Sequence, residues 1–252
     1  MRLLSKLCCL ASLMLVASGA LAADVTRSEV EAILASAKGE SGANFTGRSL
    51  AGLDLYGLDF SGADLSGADL SDSDLRRAKF VGAKLVGTKL ARARLNLAWI
   101  MAADFSQADL SGAVLETLVV SRGMETRPEE ANTFVGTNFS GAKVTARFSL
   151  ADMRGANLSN LQASVDMRNQ SMGLIRTDFS QANLIDANFE GAALSRVDFK
   201  YAKLKGANFK GADLDHADFA GADLTDADLT GANTSGTVFD GAILTGTLGL
   251  QQ

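Results

Sequence analysis

The residues of this chain that could do chemistry are its carboxylates, one imidazole and a run of cations. Asp213, Asp215 and His216 are the nearest approach to a catalytic or metal-binding group, and His216 is the only histidine. Without a second His or a nearby Cys they cannot build a zinc or copper site. No Ser-His-Asp set on a nucleophile elbow, no phosphate-cradling glycine loop and no dinucleotide fingerprint occurs. Asp-rich repeats of exported proteins can hold calcium, but the Gly-Gly-x-Gly-x-Asp repeat of the calcium roll is missing. The expectation is a protein with no cofactor, no metal and no enzymatic activity. A further run, Arg76, Arg77, Lys79, Lys84, Lys89, Arg92 and Arg94, reads in a linear scan as a nucleic-acid patch.

What these residues can do depends on the element that positions them, and that element is a five-residue beat. From Phe45 to Leu115 every fifth residue is Leu, Phe or Ile, 15 positions of 15; from Leu174 to Leu244, 14 of 15 obey, Thr234 being the exception. Ala usually stands two places before each, Asp or Asn between, and Gly or a polar residue after, as in Ala63-Asp64-Leu65-Ser66-Gly67. Neither the helical period of about 3.6 nor the strand period of about 2 keeps one face apolar on such a beat. The beat must mark the sides of a coil.

The pattern resembles the pentapeptide repeat family, whose motif reads roughly Ala-(Asp/Asn)-Leu-x-x. The resemblance implies an all-β fold, a right-handed quadrilateral parallel β-helix in which four pentapeptides make one coil of 20 residues with Leu, Phe and Ala inside. Stepping by 20 supports it independently: Phe179, Phe199, Phe219 and Phe239 fall in one column, and Leu184, Leu204, Leu224 and Leu244 in another. The same step places Asp59 under Lys79, Asp64 under Lys84, Asp69 under Lys89 and Asp74 under Arg94. With coils about 4.8 Å apart, each cation has a carboxylate one rung away, so the basic run reads as a register device and no nucleic-acid partner is expected.

Residues 1–22 have the form of a signal peptide, with Arg2 and Lys6, an apolar run from Leu7 to Val16, and Ala20-Leu21-Ala22 as a cleavage site. Cys8 and Cys9 lie inside it without a lipoprotein context. The expected location is periplasmic or secreted, with no stable membrane insertion after leader cleavage. Removing Arg2 and Lys6 leaves 22 basic against 29 acidic residues, a net charge of −7. Residues 24–40 are expected to form a short N-terminal capping helix, because Thr26-x-x-Glu29 is a capping box and Val30, Ile33, Leu34 and Ala37 make an apolar stripe. Arg48, Leu53 and Leu58, standing where Ala is usual, predict a widened or irregular first coil beneath it.

The first regular block covers 43–120. Within it Trp99, the only tryptophan, takes an outward Asp/Asn place, with Val119 one rung above and Met101 at the next outward position. A loop excursion follows at 121–133, holding Arg122, Arg127 and the only proline. It either folds back over Trp99 and Val119 or binds a partner. An irregular segment, 134–173, slips the beat by one between Val144 and Phe148 and then lapses after Leu161. The second regular block, 174–248, carries 11 acidic and 6 basic residues and an acidic column, Asp178, Asp198 and Asp218, that the step of 20 leaves uncompensated.

The functional expectation is an exported scaffold mediating protein–protein interaction with an unknown partner. The alternative, carried by the family resemblance, is a DNA mimic that binds DNA gyrase and protects it from quinolones. Family members of that kind form homodimers through the C-terminal end. Here the last coil either pairs with a second copy or is closed by its short tail through Leu248 and Leu250. An export signal would separate this chain from gyrase, and the nearly neutral first block, 9 acidic to 8 basic residues, is a poor imitation of DNA.

Overall fold

A computed structural model describes residues 23–37, 42–123, 125–164 and 176–250. The expected leader, 1–22, and most of the lapse after Leu161 lie outside the described residues. Helix α1 runs over Arg27–Ser36, shorter than the expected 24–40. Its capping box is formed: Glu29 N–H donates to Thr26 Oγ1 at 3.3 Å, and Thr26 N–H donates to Glu29 Oε2 at 2.7 Å. Val25 and Val30 are buried in the solenoid core, and Ile33, Leu34 and Ala37 pack against it. Arg27 ties the helix to the first coil by donating to Asp54 O at 2.8 Å.

The repeat is explained by its backbone donors, since every N–H turned away from water needs a partner. Phe60 N–H donates to Lys79 O (2.7 Å) and Gly62 N–H to Val81 O (2.9 Å), both in the next coil. Asp64 N–H donates to Ala43 O in the previous coil (2.9 Å), and Ala63 N–H turns back to Phe60 O (2.9 Å). Only Ser61 N–H has no backbone acceptor, and Asp59 Oδ1 takes it at 3.0 Å. The same bond recurs at Asp64, Asp178, Asp228, Asn138 and Asn157. The Asp/Asn place is thus an Asx-turn, in which a short side chain caps the backbone two residues on.

Parallel bridges stack the coils into four columns, named here as faces one to four through Asp64, Asp69, Asp74 and Asp59. Up to Val119 each step is 20 residues, so the Asp59/Lys79, Asp64/Lys84, Asp69/Lys89 and Asp74/Arg94 pairs are true rung neighbours. The first coil keeps this step as well (Asn44 to Asp64, Ser49 to Asp69, Asp54 to Asp74), so it is in register. Arg48 there points outward to Asp24, 3.1 Å away, while Leu53 and Leu58 add to the core.

Two insertions interrupt the ladder. The step is 29 residues at Asp104 to Thr133, nine more than the regular coil. Ala102 N–H, which in the regular frame would donate to residue 121, donates instead to Glu130 O at 2.9 Å. The inserted residues are therefore 121–129, and 130–133 already belong to the coil. Next comes a step of 19, as at Asn138 to Asn157. The one-residue slip is absorbed between Lys143 and Arg147, beside a straight pair of strands, β1 (Val114–Glu116) and β2 (Lys143–Thr145). A step of 31, at Arg147 to Asp178, marks the second insertion, and the step of 20 then returns.

Inside, Phe rings stack on Phe rings. Phe179 to Phe199, Phe199 to Phe219 and Phe219 to Phe239 have centroid distances of 5.3, 4.7 and 5.5 Å. At the C-terminal end Phe239 and Leu244 have no coil above them among the described residues, and Ile243, Leu244 and Leu248 are exposed.

Candidate interaction surface

The eight residues singled out from sequence come to one side of the rod. Trp99, Val119, Asp178, Asp198 and Asp218 stand on face four, and Met101 lies at the corner that follows it. The first insertion, carrying Arg122 and Arg127, leaves from that corner. Arg147, not singled out from sequence, stands on face four directly below Asp178. It was missed because the insertions displace it from the step of 20.

The excursion does not cover Trp99. The indole stays 40 % exposed, with the Lys79 ammonium 5.9 Å from its ring centroid. Cover falls instead on Met101, which is 3 % exposed. The reason is geometric: the insertion departs at the corner beside Met101 and not over the flat of the face. Its return is fixed by the 3₁₀ turn Pro128–Glu130 and by Asn132, whose side-chain amide donates to Ile100 O. Its outer part rises to the next coil, where Thr126 Oγ1 and Ser149 Oγ are 3.4 Å apart. A cleft of about 390 Å³ opens there, lined by Glu125, Thr126, Arg147, Asp178 and Ser180. Arg122 and Arg127 are exposed, Arg122 Nε lying 3.9 Å from the buried Glu130 carboxylate.

Leu97 adds to this surface. The second place after each inward residue has positive φ, as at Gly62 (69°), because the chain turns its corner there. Leu97 occupies such a corner at φ 61° and is 41 % exposed, with Arg77 below it (60°) and Thr117 above (56°). A left-handed conformation costs a side-chain-bearing residue about 1–2 kcal/mol. An apolar residue that is both strained and exposed contributes little to the fold for that cost.

The acidic column is stacked but not uncompensated. Lys200 Nζ lies 3.2 Å from Asp198 and 2.8 Å from Asp218, and Arg147 stands beneath Asp178. Stepping by 20 finds only vertical neighbours, and Lys200 reaches the column sideways from two residues along. Partial burial pushes the Asp218 carboxyl up, but the Lys200 hydrogen bond and the Ala220 N–H outweigh it and hold it below the usual range. The hydrogen bond to Asp218 in turn raises the Lys200 ammonium. The chemistry open to this side is recognition: an apolar lower part, arginines at mid-height and ion-paired carboxylates above. Among the described residues no cluster of three His, Cys, Asp or Glu side chains could hold a metal ion, and no helix is long and apolar enough to cross a membrane.

No curated protein matches the chain in sequence. Among solved structures it is similar to HetL, a pentapeptide repeat protein involved in heterocyst differentiation regulation from Nostoc sp. strain PCC 7120. The identity is 26 %, the match covers 89 % of this chain and 94 % of that one, and the TM-score is 0.45. A pentapeptide repeat protein of the Arabidopsis thaliana thylakoid lumen is 28 % identical over 65 % of this chain and 70 % of its own, with a TM-score of 0.19. QnrB1, a plasmid-mediated fluoroquinolone resistance protein, is 20 % identical over 77 % and 84 %, with a TM-score of 0.29. The family model for pentapeptide repeats matches in 8 copies, over 41–77, 78–116, 174–211, 192–231 and 207–246, and leaves out the two insertions. The family-model match over more than half of the chain, on a coil of four parallel ladders with a recurrent Asx-turn, establishes that the chain belongs to the pentapeptide repeat family.

Proposed function

We propose that this protein is a non-enzymatic, exported scaffold that binds a partner protein through face four and the adjoining excursion 121–129. The observation that carries this reading is the pairing of Leu97 and Trp99: both are exposed, one is strained, and both lie on the side where the insertions leave the frame. Most outward residues at the other Asp/Asn places have structural work to do, as turn caps or as rung partners. Loops and exposed apolar residues that the frame does not require are where binding energy concentrates.

In this reading the solenoid is right-handed, the leader is cleaved, the mature protein is periplasmic or secreted, and α1 closes the N-terminal end of the core. The open C-terminal coil, with Phe239, Leu244 and Leu248, pairs with a second copy. Light scattering at high concentration tests that point, a monomer being the result against it. Nucleic acid is not a partner in this reading, because Lys79, Arg92 and Arg94 pair with Asp59, Asp72 and Asp74 one rung below, and Lys84 and Lys89 stand on rungs next to Asp64 and Asp69. The deciding experiment is affinity capture from the periplasmic fraction with wild type, a variant lacking 121–129, and Trp99→Ala. One partner held by wild type and lost from both variants is expected. Equal capture by all three overturns the assignment to face four.

The gyrase-mimic reading is weaker on the charge pattern. The coil 75–94 holds seven cations and no acid, a ring of positive charge where a DNA mimic needs negative. Cell fractionation separates the two readings: full-length, uncleaved protein in the cytoplasm would restore the mimic.

A further inference from the structure

The four faces respond differently to the irregular middle of the rod. Face two carries a ladder of side-chain amides across it. Asn138 Nδ2 donates to Asp109 Oδ1 at 2.9 Å, Asn157 Nδ2 to Asn138 Oδ1 at 3.0 Å, Asn188 Nδ2 to Asn157 Oδ1 at 3.3 Å, and Asn208 Nδ2 to Asn188 Oδ1 at 2.9 Å. These four bonds span steps of 29, 19, 31 and 20 residues, so the ladder runs without a gap through both insertions. Each asparagine oxygen also accepts the N–H two residues on, which fixes the amide in the plane needed to reach its neighbour. Stacked amides reinforce a backbone ladder in this way because each can accept and donate at once.

Face four, on the opposite side of the coil, has the reverse character. Its bridges stop at Val119 and resume at Arg147. The residues 121–129 leave beside it. We propose that the middle coils form a hinge, with the amide ladder of face two as the fixed edge and face four as the edge that opens. Bending a rod changes the rung spacing in opposite senses on opposite faces. On face two any change must lengthen backbone and amide bonds together. Among the described residues face four has fewer backbone bridges to lengthen, and the excursion 121–129 leaves from its corner. The hinge stands whether or not face four binds a partner.

The described residues contain no cysteine, so paired spin labels can be placed cleanly. Ser61→Cys with Ala220→Cys reports on the face-four edge, and Ser71→Cys with Thr230→Cys on the face-two edge. Both pairs lie seven coils apart, about 34 Å from the rung spacing. Pulsed electron spin resonance is expected to give a distance distribution at least about twice as wide for the first pair as for the second. Asn157→Asp keeps the turn cap to Ser159 and removes only the donor to Asn138, so it should widen the face-two distribution toward that of face four. Equal widths in the otherwise unaltered protein, or a face-two distribution that Asn157→Asp leaves as narrow as before, overturn the hinge.

Discussion

Deleting 121–129 separates a binding role of the excursion from a structural one. Glu130 already occupies the ladder place that residue 121 would fill, so the deletion joins Val120 to Glu130 and restores the step of 20 at Asp104 to Thr133. Thr126 is half-buried, and the other described residues of the excursion beyond Ser121 are exposed. Shortening the connection from 14 residues to five recovers about 1 kcal/mol of loop-closure entropy. Against this, partial exposure of Met101 costs at most about 1.5 kcal/mol. The Thr126–Ser149 contact and the Arg122–Glu130 pair, whose arginine side chain is 78 % exposed, together contribute about 1 kcal/mol or less. The net expectation is a loss of about 1 kcal/mol, read as a small fall in the urea midpoint at unchanged slope, while partner capture is abolished. A loss above about 3 kcal/mol would mean that the excursion holds the solenoid together, and the reasoning from its exposure would fail.

Leu97→Gly relieves a left-handed leucine and should raise stability by about 0.5–1 kcal/mol after the entropy of glycine is subtracted, while weakening capture; a fall in Tm would refute the strain argument. Phe199→Ala empties a ring site between Phe179 and Phe219 and should cost about 3–5 kcal/mol in chemical denaturation; less than about 2 would mean that the column collapses to refill it. The Asx-turn carboxylates predict acid sensitivity. Hydrogen bonds from Ser66 hold the Asp64 carboxyl below its ordinary value, and those from Thr230 and Lys210 hold Asp228 at about 2. Folded values below the unfolded 3.8 mean that this stability is present above pH 3.8 and is lost as pH falls toward about 2. Denaturant midpoints from pH 6 down to about 2 should drop only below about 4, and Asp228→Asn, which keeps the cap without titrating, should lessen the drop; a flat profile would contradict it.

The regular blocks were legible from sequence because a strict period makes distant residues predictable neighbours. Phe179, Phe199 and Phe219 stack where the step of 20 puts them, and so do Lys79 and Trp99. Legibility ended where that period changed. Steps of 29, 19 and 31 are invisible to arithmetic based on 20, so Arg147 was not placed on face four and the amide ladder of face two was not found. Lateral contacts were lost for a different reason. Lys200 lies two positions from Asp198 in the chain, and arithmetic that compares only residues one coil apart does not test a cation that reaches back along its own coil to Asp198 and up to Asp218. The Asx-turn itself had a sequence signal, an Asp or Asn recurring at the place before the inward residue, but the beat by itself says only that this place faces outward.

The Asx-turn bears on function. Because the turn needs only a short side-chain oxygen at each Asp/Asn place, acidity follows from the frame and is weak support for imitation of DNA. Asn satisfies the turn equally well, so the choice between Asp and Asn is left to the neighbouring rungs. Where Asn138, Asn157, Asn188 and Asn208 stack, four carboxylates would repel, and amides instead bond to one another. Where Asp178, Asp198 and Asp218 stack, Lys200 lies between two of them. The informative positions are therefore those that keep the backbone ladder but give up the cap, and Trp99, whose indole lies by the Lys79 ammonium and stays 40 % exposed, is one. In the proposed reading its exposed indole, beside a leucine held in a glycine's conformation, is the part of this surface that a partner accounts for and the fold does not.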